Sequence, residues 1–403
     1  MSRGIETELR DALEYAAESI MPRSDLADRV RRASRRRRHR LTGAIAAGLA
    51  AAVAGSLIAV YGVAHGPQSP AAKYHGHLHG GMHIVVGYYS PDMMAAHGRW
   101  IYVAAGGGYP GEILRAYDRA TGRLVRSISI PAAPSTLQVG PGGLIWLGFY
   151  PDSNGGGTGV WLLSPDLKLR SGVNLRRYFG ATPHDVLPTG ADTAVLATDN
   201  GLARLRLPNP GQPGSATLRW LPRVPGSRRI QGVPVQLATF AGGEAVHLEN
   251  DSGVELISRV GSRPQEFTPP PGDTVGPIAG SAGALWTTLF GDQGQRSLGL
   301  IRLDDRLKLS TPGSIRGNPV FDGAQWVATF GSAVWVVLSG RNGSPSLACF
   351  TDGGGRIGPI ATLDIRREPA RNVGVTSIAA VGDTLYVLGP IGVATYPIPA
   401  ACR

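Results

Sequence analysis

A short phrase recurs seven times between Trp100 and Tyr386: a small residue, then an apolar pair around an aromatic or β-branched position. The copies are GRWIYV from Gly98, GGLIWL from Gly142, ADTAVL from Ala191, GGEAVH from Gly242, AGALWT from Ala282, GSAVWV from Gly331 and GDTLYV from Gly382. Counted on Tyr102, Trp146, Val195, Val246, Trp286, Trp335 and Tyr386, the steps are 44, 49, 51, 40, 49 and 51 residues. A unit of that length cannot bury both of its own apolar faces and must stack on its neighbours; a strand-based period of roughly 40–50 residues is that of a propeller blade.

A second phrase follows each copy of the first: GVWLL from Gly159, GLARL from Gly201, GVELI from Gly253, GLIRL from Gly299 and GVATY from Gly392, with weaker counterparts EILRAY from Glu112 and SLACF from Ser346. Each repeat therefore holds a hairpin. An innermost strand precedes the aromatic one, as in PSTLQVG from Pro134 or VTSIAAVG from Val375, and an outermost strand follows the second phrase, as in RLVRSISI from Arg123. After Gly392, which opens the last second phrase, only eleven residues follow, too few for an outer strand, whereas His83 to Tyr89 lie before the first innermost strand and are free to pair beside the last repeat. That pairing closes the ring and removes two open sheet edges. The expectation is an all-β, seven-bladed propeller over residues 82–403, with most of the chain's 57 glycines and 31 prolines serving its turns.

Within the first repeat, Asp118-Arg119-Ala120-Thr121-Gly122-Arg123 resembles the D-x-x-T-G-K/R turn of YVTN and quinoprotein-like propellers. GPGGLIWLG from Gly140 is similar to the G-x-x-G-x-L/I-W phrase of virginiamycin B lyase-type propellers. What the resemblance implies is structural: Asp bonds nearby backbone, and Gly takes a left-handed conformation between the two outer strands.

The net charge of +11 is positional, because eight arginines lie between Arg29 and Arg40, directly before the uncharged, Ala-rich stretch 41–64. At 1.5 Å per residue that stretch spans about 36 Å, enough for a hydrocarbon core of roughly 30 Å. The arginines place its N-terminal flank in the cytoplasm and everything after it outside. Basic charge abutting a membrane span reads as topology, so nucleic acid is not expected as a partner. Gly62-Val63-Ala64 also has the form of a signal-peptide cleavage site. Before the span, Ile5, Leu9, Leu13, Ala16 and Ile20 form an apolar helical stripe. Residues 1–40 thus read as a cytoplasmic helical segment with a partner or the membrane surface to dock on, and residues 65–81 as a tether. The arrangement resembles that of single-pass actinobacterial membrane proteins.

Candidate chemistry lies outside the repeated phrases. His75, His77, His79 and His83 alternate in KYHGHLHGGMH, a spacing that turns imidazoles to one side of an extended chain and suits a transition metal. The turns between the two phrases, on one face of a propeller, carry Asp152, Asn154, Asp199, Asn200, Asn250, Asp251, Asp292 and Asn342. Such oxygen ligands suit Ca²⁺, a glycan or an extracellular protein, although turns demand these residue types anyway. His184 and Asp185 form the one local acid and imidazole pair near that mouth. No nucleophile elbow, P-loop or paired-carboxylate motif is present, so catalytic residues are not assigned. Two cysteines, Cys349 and Cys402, are placed to form a disulfide between the sixth repeat and the C-terminal tail in an oxidising compartment. The reading is a membrane-anchored extracytoplasmic binding, sensing or scaffold module; the alternatives are a tethered lyase or lactone hydrolase and a metal-binding envelope protein.

Overall fold

The computed structural model describes residues 83–85, 91–105, 112–150, 158–208, 216–221, 232–240, 243–250, 255–260, 265–281, 283–291, 296–310, 315–316, 326–330, 333–339, 345–351, 361–364, 375–389 and 392–403. Residues 1–40, expected to be cytoplasmic, the apolar stretch 41–64 and residues 65–81, expected to be a tether, lie outside the described residues. Among the described residues, no helix is long and apolar enough to cross a membrane.

Seven four-stranded antiparallel sheets make up the ring. The chain opens with β1 (His83–Val85) and then builds blade 1 from β2 (Pro91–His97), β3 (Trp100–Ala105), β4 (Ile113–Asp118) and β5 (Leu124–Ser129). Blade 2 is β6 (Pro134–Val139), β7 (Ile145–Phe149), β8 (Gly159–Leu163) and β9 (Leu169–Asn174), followed by a short helix, α1 (Leu175–Phe179). Blade 3 is β10 (Pro183–Pro188), β11 (Thr193–Thr198), β12 (Gly201–Arg206) and β13 (Thr217–Trp220). Blade 4 is β14 (Gly232–Phe240), β15 (Gly243–Asn250), β16 (Glu255–Arg259) and β17 (Glu266–Phe267). Blade 5 is β18 (Thr274–Gly280), β19 (Leu285–Gly291), β20 (Arg296–Leu303) and β21 (Ile315–Arg316). Blade 6 is β22 (Trp326–Phe330), β23 (Ala333–Ser339), β24 (Pro345–Thr351) and β25 (Ala361–Asp364). Blade 7 is β26 (Ser377–Val381), β27 (Thr384–Gly389) and β28 (Gly392–Pro397), and β1 is its fourth strand.

Pairing of His83 with Ala394 and of Val85 with Gly392 closes the ring with the two ends of the domain. First strands touch first strands all the way round, β2 with β6, β6 with β10, and so on to β26 with β2. We call the face where first strands begin the upper face; it carries the connections from second to third strands and between blades. The lower face carries the other two turns of each blade.

The core is divided into seven clusters, one at each junction between neighbouring sheets. This division follows from strand geometry, since alternate residues of a middle strand face opposite neighbours. On β3, Tyr102 and Ala104 pack toward blade 2 while Ile101 and Val103 pack toward blade 7. Trp146, Trp286 and Trp335 repeat the Tyr102 position, fully buried and facing the next blade. Blade 4 departs from the sequence alignment. There Val246 faces back to blade 3 and Ala245 faces blade 5, because a slip of one residue reverses the side of every side chain.

Turn chemistry follows the expected form in blade 1, where Asp118 accepts from the backbone N–H of Ala120 and Thr121 at 3.1 and 3.0 Å and Gly122 has φ +68°. Asp304 does the same in blade 5, accepting from the N–H of Arg306 and Lys308. In blades 2 and 5 the left-handed position is taken by a leucine, Leu167 and Leu307, each buried against the junction core. Burial of a whole leucine side chain, about 2 kcal/mol, offsets a left-handed penalty of about 1–2 kcal/mol.

Cys349 on β24 and Cys402 in the C-terminal turn form a disulfide across 53 residues, tying blade 6 to the end of blade 7. Removing it by Cys402→Ser is expected to lower unfolding free energy by about 2–4 kcal/mol, read in paired melts of oxidised wild type and variant. Gly280, at the end of β18, lies so close to β14 that a Cβ would run into the Thr239 carbonyl. Gly280→Ala should therefore force two first strands apart, and denaturant titration should show a loss of about 2 kcal/mol or more.

Candidate functional site

The upper face between blades 2 and 3 is where the described site residues gather. β10 begins with Pro183, which has no N–H to give the ladder, and the register shifts between Pro183 and Asp185, leaving His184 as the bulged residue. The same step follows Pro91 in β2 and Pro134 in β6, so the bulge belongs to the blade pattern; its occupant in blade 3 does not. The His184 ring lies edge-on to Tyr150, with centroids 6.5 Å apart. Its Nε2 is buried with no partner among the described residues. Burial holds the imidazole below its usual pKa, against the opposing pull of Asp199, so it is neutral near pH 7.

Asp185 faces elsewhere. Its side chain, 8% exposed, accepts from the Thr136 hydroxyl on β6, from its own neighbour Val186 N–H, and from Leu237 N–H on β14, each at 2.8 Å. One carboxylate thus ties the first strands of blades 2, 3 and 4. Asp199 and Asn200 sit in the turn between β11 and β12 and are exposed, yet their side chains are used locally: Asp199 Oδ1 accepts from Thr182 N–H at 2.8 Å and Asn200 Nδ2 donates to the Gly180 carbonyl at 2.9 Å. They pin that turn to the connection entering β10.

The connection includes α1, a feature the sequence reading lacked. Asn174 caps it by accepting from Arg177 N–H at 2.8 Å, and Gly180, at φ +64°, ends it in the left-handed conformation. Leu175 is buried beneath, while Arg176, Arg177 and Tyr178 are exposed. Tyr178 is 64% exposed, the highest value among the large apolar side chains of the described residues, with the Arg177 guanidinium 5.7 Å from its ring. Its signal in sequence was Asn-Leu-Arg-Arg-Tyr-Phe-Gly, a capped single turn interrupting strand patterning.

Asn250 closes β15 opposite Gly232, and His83 belongs to β1. Asp152, Asn154, Asp251, Asp292, Asn342, His75, His77 and His79 lie outside the described residues. Among the described residues no three His, Cys, Asp or Glu side chains gather as a metal site would require.

Fold and face define a seven-bladed β-propeller whose upper face carries an exposed aromatic on the capped helical turn between blades 2 and 3 and, where β10 begins, a buried imidazole. No protein-family model matches the sequence, and no curated protein matches it. Solved structures do match the fold. YCF48 bound to D1 peptide is 14% identical, covering 79% of this chain and 97% of its own, with a TM-score of 0.54. Saccharomyces cerevisiae Sqt1 is 9% identical, covering 79% and 98%, with a TM-score of 0.52.

The Asp185 tie carries a pH signature. Burial pushes its carboxyl above the usual carboxylate range, while its three donors pull the other way. With the folded value above the unfolded value of about 4, the folded state holds the proton more tightly. Stability from this group is then complete below about pH 4 and is lost as pH rises through the raised value. Asp185→Asn, which cannot ionise, should remove that dependence: the unfolding free energy of wild type relative to the variant is expected to decline between about pH 4 and 7 in urea titrations.

Proposed function

We propose that this chain is a binding or scaffold propeller, held to a membrane by residues 41–64 with its N-terminus in the cytoplasm, that engages an extracytoplasmic protein or glycan on its upper face. The observation that carries the binding reading is Tyr178: an aromatic side chain left exposed on a helix fixed at both ends, next to two exposed arginines. Exposed, pre-positioned Tyr and Arg are the side chains that anchor interfaces, because little entropy remains to be lost on contact. YCF48, which shares the fold, is recorded with a bound peptide, and that agrees with a binding role for a ring of this kind.

Location outside the cell is supported by two independent features. The arginine run before the apolar stretch follows the positive-inside bias, and the Cys349–Cys402 disulfide suits an oxidising compartment. The YVTN-like turn at Asp118–Arg123 and the GC-rich character of 37 arginines against three lysines are in keeping with an actinobacterial propeller of the quinoprotein-like group.

Protease added to intact cells is expected to remove a C-terminal tag; a tag protected until lysis would overturn the topology. A photo-crosslinking amino acid at Tyr178 should give discrete adducts on those cells, whereas one at Val125, exposed on the outer strand of blade 1, should not. Equal adducts at both positions, or none at Tyr178, would remove the upper-face reading.

A further inference from the structure

Blade 3 breaks the repeat at a second place, toward the lower face. In five other blades the middle-strand position facing the next blade is a ring, paired across to the third strand as Tyr102 with Ala116, Trp146 with Leu162, Trp286 with Arg302, Trp335 with Cys349 and Tyr386 with Thr395. Blade 3 has Val195 there, opposite Arg204. Val195 is fully buried in the junction core, while Arg204 beside it is exposed. Two residues on, where Asp118 and Asp304 cap their turns, blade 3 has Arg206.

Arg204 stands directly opposite Arg219 on β13, and Arg206 is opposite Thr217 on the same side of the sheet. Like charges in that position repel. Around them is a cavity of about 240 Å³ lined by Arg204, Arg206, Arg219, Thr189, Thr193 and Thr217. Glu244 of blade 4 reaches Arg204 at 3.4 Å and Asp192 reaches Arg206 at 3.1 Å, while Arg219 has no acidic partner among the described residues. Three guanidinium groups against two carboxylates leave one net positive charge. Each guanidinium carries five donors, of which one carboxylate contact uses few.

We propose that this cavity on the outer strands of blade 3 binds a phosphate group, free or esterified in a lipid headgroup, through Arg204, Arg206 and Arg219. The two acidic residues fix the orientation of Arg204 and Arg206, and the tetrahedral anion accepts from the remaining guanidinium donors and the threonine hydroxyls. The anion relieves the Arg204–Arg219 repulsion, so occupancy also stabilises the outer half of blade 3. The free-anion case is independent of the membrane anchoring proposed above; the lipid case rests on it.

The test uses the full chain in an uncharged detergent, titrated calorimetrically at constant ionic strength with inorganic phosphate and, separately, with dibutanoyl phosphatidylglycerol. Saturable binding is expected, weakened about tenfold or more by Arg219→Gln at an anion-free melting midpoint no lower than that of wild type, since one charge-assisted contact to the anion is lost while the Arg204–Arg219 repulsion is removed. Tighter binding of the lipid analogue assigns the cavity to a headgroup, and tighter binding of inorganic phosphate assigns it to a free anion; either supports the site. Absence of saturable binding by both probes, or equal affinity in Arg219→Gln and wild type, would overturn it. A folded Arg204→Gln/Arg206→Gln variant gives a second reading, with the same loss expected.

Discussion

Everything in this ring depends on the contact of one sheet with the next, and above all on the pairing of β1 with β28. A four-stranded sheet with two apolar faces has no stable form in water by itself, because each face needs a cover. Closure supplies the missing cover for blades 7 and 1 together and removes the open edges that an unclosed row of sheets would present. Without it, the seven junction clusters would be six, and Ile101, Val103, Tyr386 and Leu388 would lose their packing partners.

Each junction also carries a specific tie in addition to its apolar cluster. Tyr102 Oη donates to the Pro165 carbonyl between blades 1 and 2. Asp185 joins 2 to 3 and 3 to 4, and the Gln236 amide exchanges two hydrogen bonds with the backbone of Ile278 between 4 and 5. Thr329 donates to the Gly280 carbonyl between 5 and 6, the disulfide joins 6 to 7, and Ser377 donates to the Met94 carbonyl between 7 and 1. Apolar burial is non-directional and fixes no register; these directional contacts do, which is what a ring of near-identical blades needs. Apart from Asp185, which serves two junctions, the residue types differ from one junction to the next, so they are invisible to a search for repeats.

The junction of blades 3 and 4 is the least filled by rings, with Val195 and Val246 at its centre. Blade 3 also carries two departures from the repeat among the described residues, the α1 corner in the connection that enters it and the arginine cavity on its outer strands. Packing requirements hold the middle of each sheet close to a common pattern. Departures from that pattern have room only at the faces and rims, which is where the binding surfaces proposed for this protein lie.

The seven phrases, their hairpins, the closing strand, the capped turn at Asp118 and the cysteine pair were all legible in the sequence, because each rests on local periodicity, on turn chemistry or on a count. The phase of Val246 was not: a two-residue period read without its partner strand cannot tell which face a residue takes. Nor were the contacts of the candidate ligands Asp185, Asp199 and Asn200, which in the structure bond to the Thr136 hydroxyl and to the backbone of neighbouring strands and turns. Apart from Val186, the residue after Asp185, their partners lie 17 to 52 residues away. Sequence by itself determined that this chain must close into a ring of seven sheets; only the tertiary structure decided which polar groups the ring uses up and which, such as Tyr178 and Arg219, it leaves facing solvent. The physical reason is that burial and hydrogen-bond satisfaction are properties of distant segments brought together, and no segment carries them alone.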